Sequence, residues 1–181
     1  DGAWWLETGD QPYDGPENQT LGVRCIYQPS ATIPIRPLVY NNLKTIVQTE
    51  DYLMLNIEWM HWSRIIRIDD KEHMPTTLAT FDGDSIGWWE GDTLVVETIN
   101  FMNQPHQPAD RKVIERFRPN NGGGLVYSFK VEDADYTDSY SGEMVWPNSD
   151  QANYEYACHE GNHAMAGTLA GARVREREHR E

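Results

Sequence analysis

The chain has 181 residues, of which 39% are hydrophobic and 11% are aromatic, which is enough for a packed core and excludes a disordered chain. Its 15 basic and 29 acidic residues give a net charge of −14, which argues against partners such as nucleic acid or anionic membrane surfaces. No stretch has the apolar length of a membrane span. The seven Trp and nine Tyr can pack in a core or line pockets for small molecules and sugars.

Composition divides the chain into three predicted regions. Residues 1–36 are rich in Gly, Pro, Asp and Asn, and we expect them to form an irregular arm. Residues 37–163 carry strand-like patterns, and residues 164–181 combine a helical pattern with a charged tail. We therefore predict an N-terminal arm, a β domain and a C-terminal helix.

Two features favour an exported protein. The chain begins with Asp1 rather than Met, which is typical of a cleaved signal peptide, although a boundary chosen for expression would look the same. In an oxidising compartment Cys25 and Cys158 can form a disulfide, and the alternative is two buried thiols in a reducing one. We expect the disulfide and a secreted or periplasmic location.

The first strand patterns begin after residue 43. A hairpin is predicted over 44–61, with its turn at Glu50–Asp51. The following segment, Trp62–Ile68, alternates in the same way and places Arg64 on the same face as Ile66.

A second hairpin is predicted over 83–101, with the sequence GDSIGWWEGDTLVVETINF. Gly91 lies between two acidic residues and supplies the freedom that a tight turn needs. The outgoing strand is apolar on both faces, which predicts that it is covered on both sides. Glu97 would then lie on an inward face between Val95 and Ile99.

The remaining elements are short and separated by turns. Further strands are predicted over 113–118, 125–131, 136–146 and 153–158, and a helix over 164–178. Strands in this succession, without alternating helices, are typical of an antiparallel barrel or sandwich. We predict a mainly β fold, an antiparallel barrel-like (lipocalin- or calycin-like) or sandwich domain with a C-terminal helix.

The segment 159–163, HEGNH, matches the H-E-x-x-H pattern of zinc hydrolases. On a helix, His159 and His163 would share one face and hold a metal, with Glu160 as general base for a bound water. Gly161 and Asn162 are poor helix formers, so the segment could instead form a turn in which His159 and Glu160 are structural.

A second group combines His61 with Arg64 and Arg67. Inside a barrel, a neutral His beside a carboxylate such as Glu97 would suit proton transfer near neutral pH, and an Arg would hold an anionic group. The structural alternative is an ion pair of Arg64 or Arg67 with Glu97 or Glu115.

Three motifs carry a resemblance to a known family. The chain contains MHWSRIIRIDDKEHMP, WEGDTLVVETINF and YEYACHEGN, and over residues 24–173 it resembles a family of uncharacterised bacterial proteins, many with export signals. The resemblance implies an exported β-rich bacterial protein and no particular activity. His61, His73, Glu97, His159 and Glu160 fall on its motifs, as do the arginines after His61. The family usually has an aromatic residue at the position of His163, which counts against a zinc site.

These observations leave three classes of function open. The first is an exported small-molecule- or carbohydrate-binding protein, with acid–base lyase, isomerase or hydrolase activity as its catalytic form. The second is a non-catalytic binding or structural and assembly protein, for instance a homo-oligomer, that uses aromatic contacts. The third is a metal-dependent hydrolase using HEGNH. No cofactor is expected, apart from a divalent metal in the third class. The catalytic candidates are His61, Arg64, Glu97, His159 and Glu160, the substrate-binding candidates are Trp59, Arg67, Trp88 and Tyr156, and the metal candidates are His159 and His163.

Overall fold

The computed structural model describes residues 13–28, 33–70, 72–103 and 107–179. The chain forms two compact units: the first comprises residues 1–28 and 155–181, and the second comprises residues 29–154. Within the predicted arm, residues 1–12 and 29–32 lie outside the described residues.

An eight-stranded sheet forms the second unit, and its strands follow the order of the chain. Neighbouring strands are antiparallel, except for β3 and β4, which are parallel. The strands are β1 (Lys44–Gln48), β2 (Tyr52–Ile57), β3 (Trp62–Ile68), β4 (Asp84–Glu90), β5 (Thr93–Ile99), β6 (Lys112–Pro119), β7 (Leu125–Glu132) and β8 (Tyr140–Trp146).

One face of this sheet carries the hydrophobic core. Leu55, Ile66, Val96 and Tyr127 come from four different strands and are fully buried in it. Along each strand, every second side chain points to this core face, and the side chains between them point to the opposite face. In β5 the neighbour Val95 is also buried, so both faces of this strand are covered, as predicted.

The strands β1 and β8 are the two ends of the sheet, which curls so that these ends approach each other. Lys44 in β1 holds its ammonium 4.9 Å from the centre of the Trp146 ring in β8. Among the described residues no backbone ladder joins the two strands, so the sheet is an incomplete barrel. The predicted mainly β, barrel-like fold is confirmed.

The first unit contains two helices, α1 (Cys158–Gly161) and α2 (His163–Glu178), and the latter confirms the predicted C-terminal helix. The predicted disulfide between Cys25 and Cys158 is also present. Arg173 in α2 donates hydrogen bonds to the carbonyl oxygens of Tyr13 and Asp14, at 2.6 and 3.0 Å. No helix in the described part of the chain is long and apolar enough to cross a membrane.

Two predicted strands differ from the structure because residues in the left-handed region interrupt them. The strand expected to reach His61 ends at Ile57, since Met60 and His61 have φ values of 59° and 53°. No strand forms over 153–158, where Ala157 has a φ of 47° and Cys158 begins α1. Such backbone angles are incompatible with an extended ladder.

Candidate functional site

Two rows of polar side chains cross the middle of the sheet, one on each face. The inner row lies on the core face and consists of Arg64, Ser85, Thr98, Glu115 and Tyr127, one from each strand from β3 to β7. The outer row lies on the opposite face and consists of Arg67, Asp84, Glu97 and Lys112, one from each strand from β3 to β6. Members of the two rows are one or three residues apart in each shared strand, which places them on opposite faces.

The inner row is a buried hydrogen-bond network around Arg64. Its Nη2 lies 2.6 Å from Glu115 Oε2 and 2.7 Å from Thr98 Oγ1, and its Nε donates to Ser85 Oγ at 3.0 Å. Tyr127 donates its hydroxyl to Glu115 Oε1 at 2.7 Å. The side chains of Arg64 and Glu115 are only 3% and 0% exposed. This is the structural ion pair that the sequence left open as an alternative for Arg64.

Burial and the charge of Glu115 together shift the pKa values of this network. It raises the pKa of the Tyr127 hydroxyl well above its ordinary value, and the nearby charge of Glu115 raises it further. Burial by itself would lower the pKa of the Arg64 guanidinium, but the charge and the hydrogen bond of Glu115 outweigh it and raise that pKa. Tyr127 therefore remains a hydrogen-bond donor and Arg64 a cation.

On the outer face, the imidazole of His73 bridges two carboxylates of the outer row. Its Nδ1 lies 2.8 Å from Asp84 Oδ2, and its Nε2 lies 3.2 Å from Glu97 Oε1. The backbone N–H of the next residue, Met74, also donates to Asp84, at 2.9 Å. The His73 side chain is 13% exposed, so solvent reaches this group. We call His73 together with the outer row the His73 centre.

Two cations complete the His73 centre. Arg67 donates from Nη2 to both oxygens of Asp84, at 3.1 and 2.9 Å, and Lys112 forms an ion pair with Glu97. Partial burial acts to raise the pKa of Glu97, but the hydrogen bonds and charges of Lys112 and His73 outweigh it and lower that pKa. Glu97 is therefore ionised near neutral pH.

This arrangement is compatible with proton transfer. Asp84 on Nδ1 orients the ring, and Nε2, which lies against Glu97, could exchange a proton with a bound group that takes the place of Glu97. The same contacts also fasten the connector between β3 and β4 to the sheet, which is a structural role.

An open cleft of about 1260 Å³ lies between the two ends of the sheet. β1 forms one wall and β8 the other, and a strap of residues 147–154 follows β8 and completes the lining. Asn153 in the strap donates to Thr45 Oγ1 at 3.3 Å and to Asn56 Oδ1 at 3.0 Å, which ties the strap to β1 and β2. We call this space the edge cleft.

Lys44 and Glu58 are the charged residues on the β1 side of the edge cleft. Lys44 donates to the carbonyl oxygen of Asn42 at 2.7 Å, and a carboxylate oxygen of Glu58 accepts from the backbone N–H of Leu43 at 3.2 Å. Burial lowers the pKa of Lys44, and the charge of Glu58 partly offsets the effect. Both charged side chains therefore already have hydrogen-bond partners within the protein.

Trp146 and Tyr154 are the aromatic residues that line the cleft, and they differ in how far their rings are covered by other protein groups. The ring of Trp146 stacks on the core residue Tyr127, with 4.4 Å between the centres and 19° between the planes, while Lys44 lies against it. The side chain of Tyr154 in the strap is 71% exposed. Tyr154 is therefore the aromatic surface available to a ligand.

The prediction that His61 faces the barrel interior is wrong. His61 is exposed, because the left-handed backbone at Met60 and His61 ends the alternation before β3 begins. The prediction that Glu97 lies on an inward face is also wrong. Its hydrogen bonds go to His73 and Lys112, on the face opposite to the inner row, and its side chain is 23% exposed.

The candidate substrate-binding tryptophans lie apart from the edge cleft. Trp59 packs against the core beside Tyr40, with ring centres 4.9 Å apart. Trp88 in β4 donates its Nε1–H to Glu90 at 3.2 Å. Arg67 belongs to the His73 centre, and Tyr156 is half-buried in the first unit.

The single helix across HEGNH that a zinc site would require does not form, and the alternative of a turn before the last helix is the one observed. α1 ends at Gly161, and Asn162 caps α2 by accepting a hydrogen bond from the N–H of Met165 at 3.4 Å. His159 and His163 therefore belong to separate helices, and both are exposed, as is Glu160. Within the described ranges, no three His, Cys, Asp or Glu residues form a group that could hold a metal.

Sequence reasoning missed several residues of both sites: Lys44, Asp84, Lys112, Trp146 and Tyr154. The pairs Asp84–Ser85 and Glu97–Thr98 gave a usable signal, because two adjacent polar residues in apolar strands place one polar group on each face. His73 lies in one of the motifs that carry the resemblance, but its partners come from other strands.

Comparisons of the chain with protein-family models, curated proteins and solved structures found no match.

Proposed function

We propose that this protein is an exported barrel-like protein that binds a small molecule or carbohydrate in the edge cleft. The observation that carries the proposal is the cleft itself, an open space of about 1260 Å³ lined by two strand edges and the strap. Small-molecule sites are typically concave, few in number and common at the mouths of barrels.

Export is supported by the disulfide between Cys25 and Cys158. Disulfides persist in oxidising compartments and are rare in the cytosol of most organisms. A secreted or periplasmic protein would meet its ligand outside the cytoplasm.

A thermal-shift screen with a library of metabolites and sugars tests the proposal. Ser149→Trp places a bulky side chain at the exposed lining of the cleft, and Ser139→Trp makes the same change at an exposed loop outside it. We expect at least one compound to raise the melting temperature of the wild type and of S139W, but not of S149W. Equal shifts in all three proteins would place the ligand elsewhere.

Acid–base catalysis at the His73 centre is a second candidate function. The specific observation in its favour is the partly exposed imidazole between Asp84 and Glu97, with 2.8 and 3.2 Å contacts on its two nitrogens. Asp84 would orient the ring, and Nε2 would accept or donate the proton once a substrate group replaces Glu97 as its partner.

Hydrolysis of a panel of p-nitrophenyl esters and glycosides tests this second candidate. His73→Asn should lower the rate by about 100-fold or more, which is the contribution typical of a general acid or base. His61→Asn is the matched control, since His61 is exposed and lies outside the His73 centre. Equal rates for the two variants would exclude His73 as the proton-transfer group.

A further inference from the structure

The size of the edge cleft favours an extended ligand. Pockets for drug-sized molecules usually measure about 300–1,000 Å³. The edge cleft measures about 1260 Å³ and is open to solvent. A ligand made of several linked units would fill this volume, whereas a single sugar ring would fill only part of it.

Apart from the carboxylate of Asp150, the exposed polar side chains of the strap that line the cleft are neutral. Asn148 and Gln151 in the strap line the cleft with exposed side chains, and these side chains have no hydrogen bond to any described residue. Ser149 lies between them and accepts a hydrogen bond from the N–H of Gln151 at 3.2 Å. An amide both donates and accepts, as a sugar hydroxyl does, so the two kinds of group can pair in either direction.

The charges of the cleft do not favour an acidic ligand. Among the described residues that line it, the charged ones are Lys44, Glu58 and Asp150. The ammonium of Lys44 donates to the carbonyl oxygen of Asn42 and lies against the Trp146 ring. The carboxylate of Glu58 accepts a hydrogen bond from the backbone N–H of Leu43. The remaining charge, Asp150, is an exposed carboxylate that would repel an acidic ligand, as would the net charge of −14.

The aromatic ring of Tyr154 supplies an apolar contact beside these polar groups. Its side chain is 71% exposed at the lining of the cleft. The C–H faces of a sugar ring are apolar and pack on aromatic rings, while the hydroxyls at the ring edge remain available for hydrogen bonds.

We infer that the edge cleft binds a neutral oligosaccharide, whose rings pack on Tyr154 and whose hydroxyls bond to Asn148 and Gln151. This inference rests on the proposed function, because it specifies the ligand class of the same cleft.

A glycan array followed by isothermal titration calorimetry tests the inference on the full chain. The array carries neutral glucan, xylan and mannan oligosaccharides, together with oligogalacturonates as acidic probes. We expect binding to at least one neutral oligosaccharide, with an affinity that rises from the disaccharide to the hexasaccharide. Tyr154→Ala should weaken it by about tenfold or more, as expected for loss of an aromatic contact of about 1.4 kcal/mol.

Tyr52→Ala is the matched control, because Tyr52 is 51% exposed on β2 and lies outside the lining of the cleft. Its affinity should equal that of the wild type. Binding restricted to acidic glycans or charged metabolites and lost in Tyr154→Ala would overturn the neutral-oligosaccharide assignment and leave cleft binding intact. Neutral binding that Tyr154→Ala leaves unchanged, or no neutral binding, would also overturn the assignment. A metabolite screen in which S149W responds like wild type would overturn the cleft function itself.

Discussion

At the scale of single residues, Glu115 should contribute strongly to stability. Its carboxylate is fully buried and is the ionic partner of Arg64. Glu115→Gln would leave the buried guanidinium without a counter-charge, and breaking such a pair on one side usually costs about 3–5 kcal/mol. Urea denaturation of the variant should show a loss of this size in the free energy of unfolding.

The control for Glu115→Gln is Glu90→Gln, which removes the carboxylate of an exposed ion pair with Arg116. Exposed ion pairs contribute little, because both partners remain hydrated when separated. The urea midpoint of E90Q should stay near that of the wild type, and a similar midpoint for E115Q would contradict the role assigned to the inner row.

Glu97 should make stability depend on pH in the acid range. Its pKa is lowered below the ordinary value of 4.5 in the folded protein, so the ionised form stabilises the fold. This contribution is complete above the unfolded pKa and disappears as the pH falls through the folded pKa. The difference in unfolding free energy between wild type and Glu97→Gln should therefore shrink as the pH falls below 4.5. A constant difference across that range would contradict the prediction.

At the scale of elements, the β4–β5 hairpin depends on the backbone of Gly91. This residue has a φ of +66°, and an added Cβ would have no heavy atom within 4 Å. Gly91→Ala should therefore destabilise only through the left-handed backbone, by about 1 kcal/mol. Gly122→Ala is the control, since Gly122 is not among the glycines with positive φ. Thermal unfolding should show a lower melting temperature for G91A than for G122A.

Elements defined by neighbouring residues could be predicted from the sequence, because their signals are local. The β4–β5 hairpin combines strands rich in β-branched and aromatic residues with a glycine turn. The segment of α2 has no proline, and its Ala, Leu, Arg and Glu residues favour a helix in spite of Gly167 and Gly171. The end of β2 could not be predicted, because neither Met60 nor His61 is a glycine, the residue type that most often marks a left-handed backbone such as the one found there.

The partners of the polar residues could not be predicted, because pairing depends on strand order. Arg64 and Glu115 are 51 positions apart, and they meet because β3, β4, β5 and β6 are consecutive in the sheet. Nothing in the sequence places His73 over Asp84 and Glu97 rather than His61, since the choice follows from the path of the connector after β3. Some of the site residues could therefore be identified from the sequence, but which of them contact each other could be learned only from the folded structure.

At the scale of the molecule, the Cys25–Cys158 disulfide should supply a large share of the stability. The two cysteines are separated by 133 positions, and the loop that they close contains all of the second unit. In the chain-entropy model a loop of this length stabilises the folded state by ~5 kcal/mol through its restriction of the unfolded chain. A variant with Cys25→Ala and Cys158→Ala should unfold at a correspondingly lower urea concentration.

The wild type reduced with dithiothreitol separates the cross-link from the side chains. If the cross-link carries the effect, the reduced wild type and the double variant should have the same urea midpoint, well below that of the oxidised protein. They should also have a larger m-value, since an unfolded chain without the cross-link exposes more surface. A double variant as stable as the oxidised wild type would mean that each unit is held by its own contacts. The cross-link would then add nothing measurable to the stability of the sheet and its two polar rows.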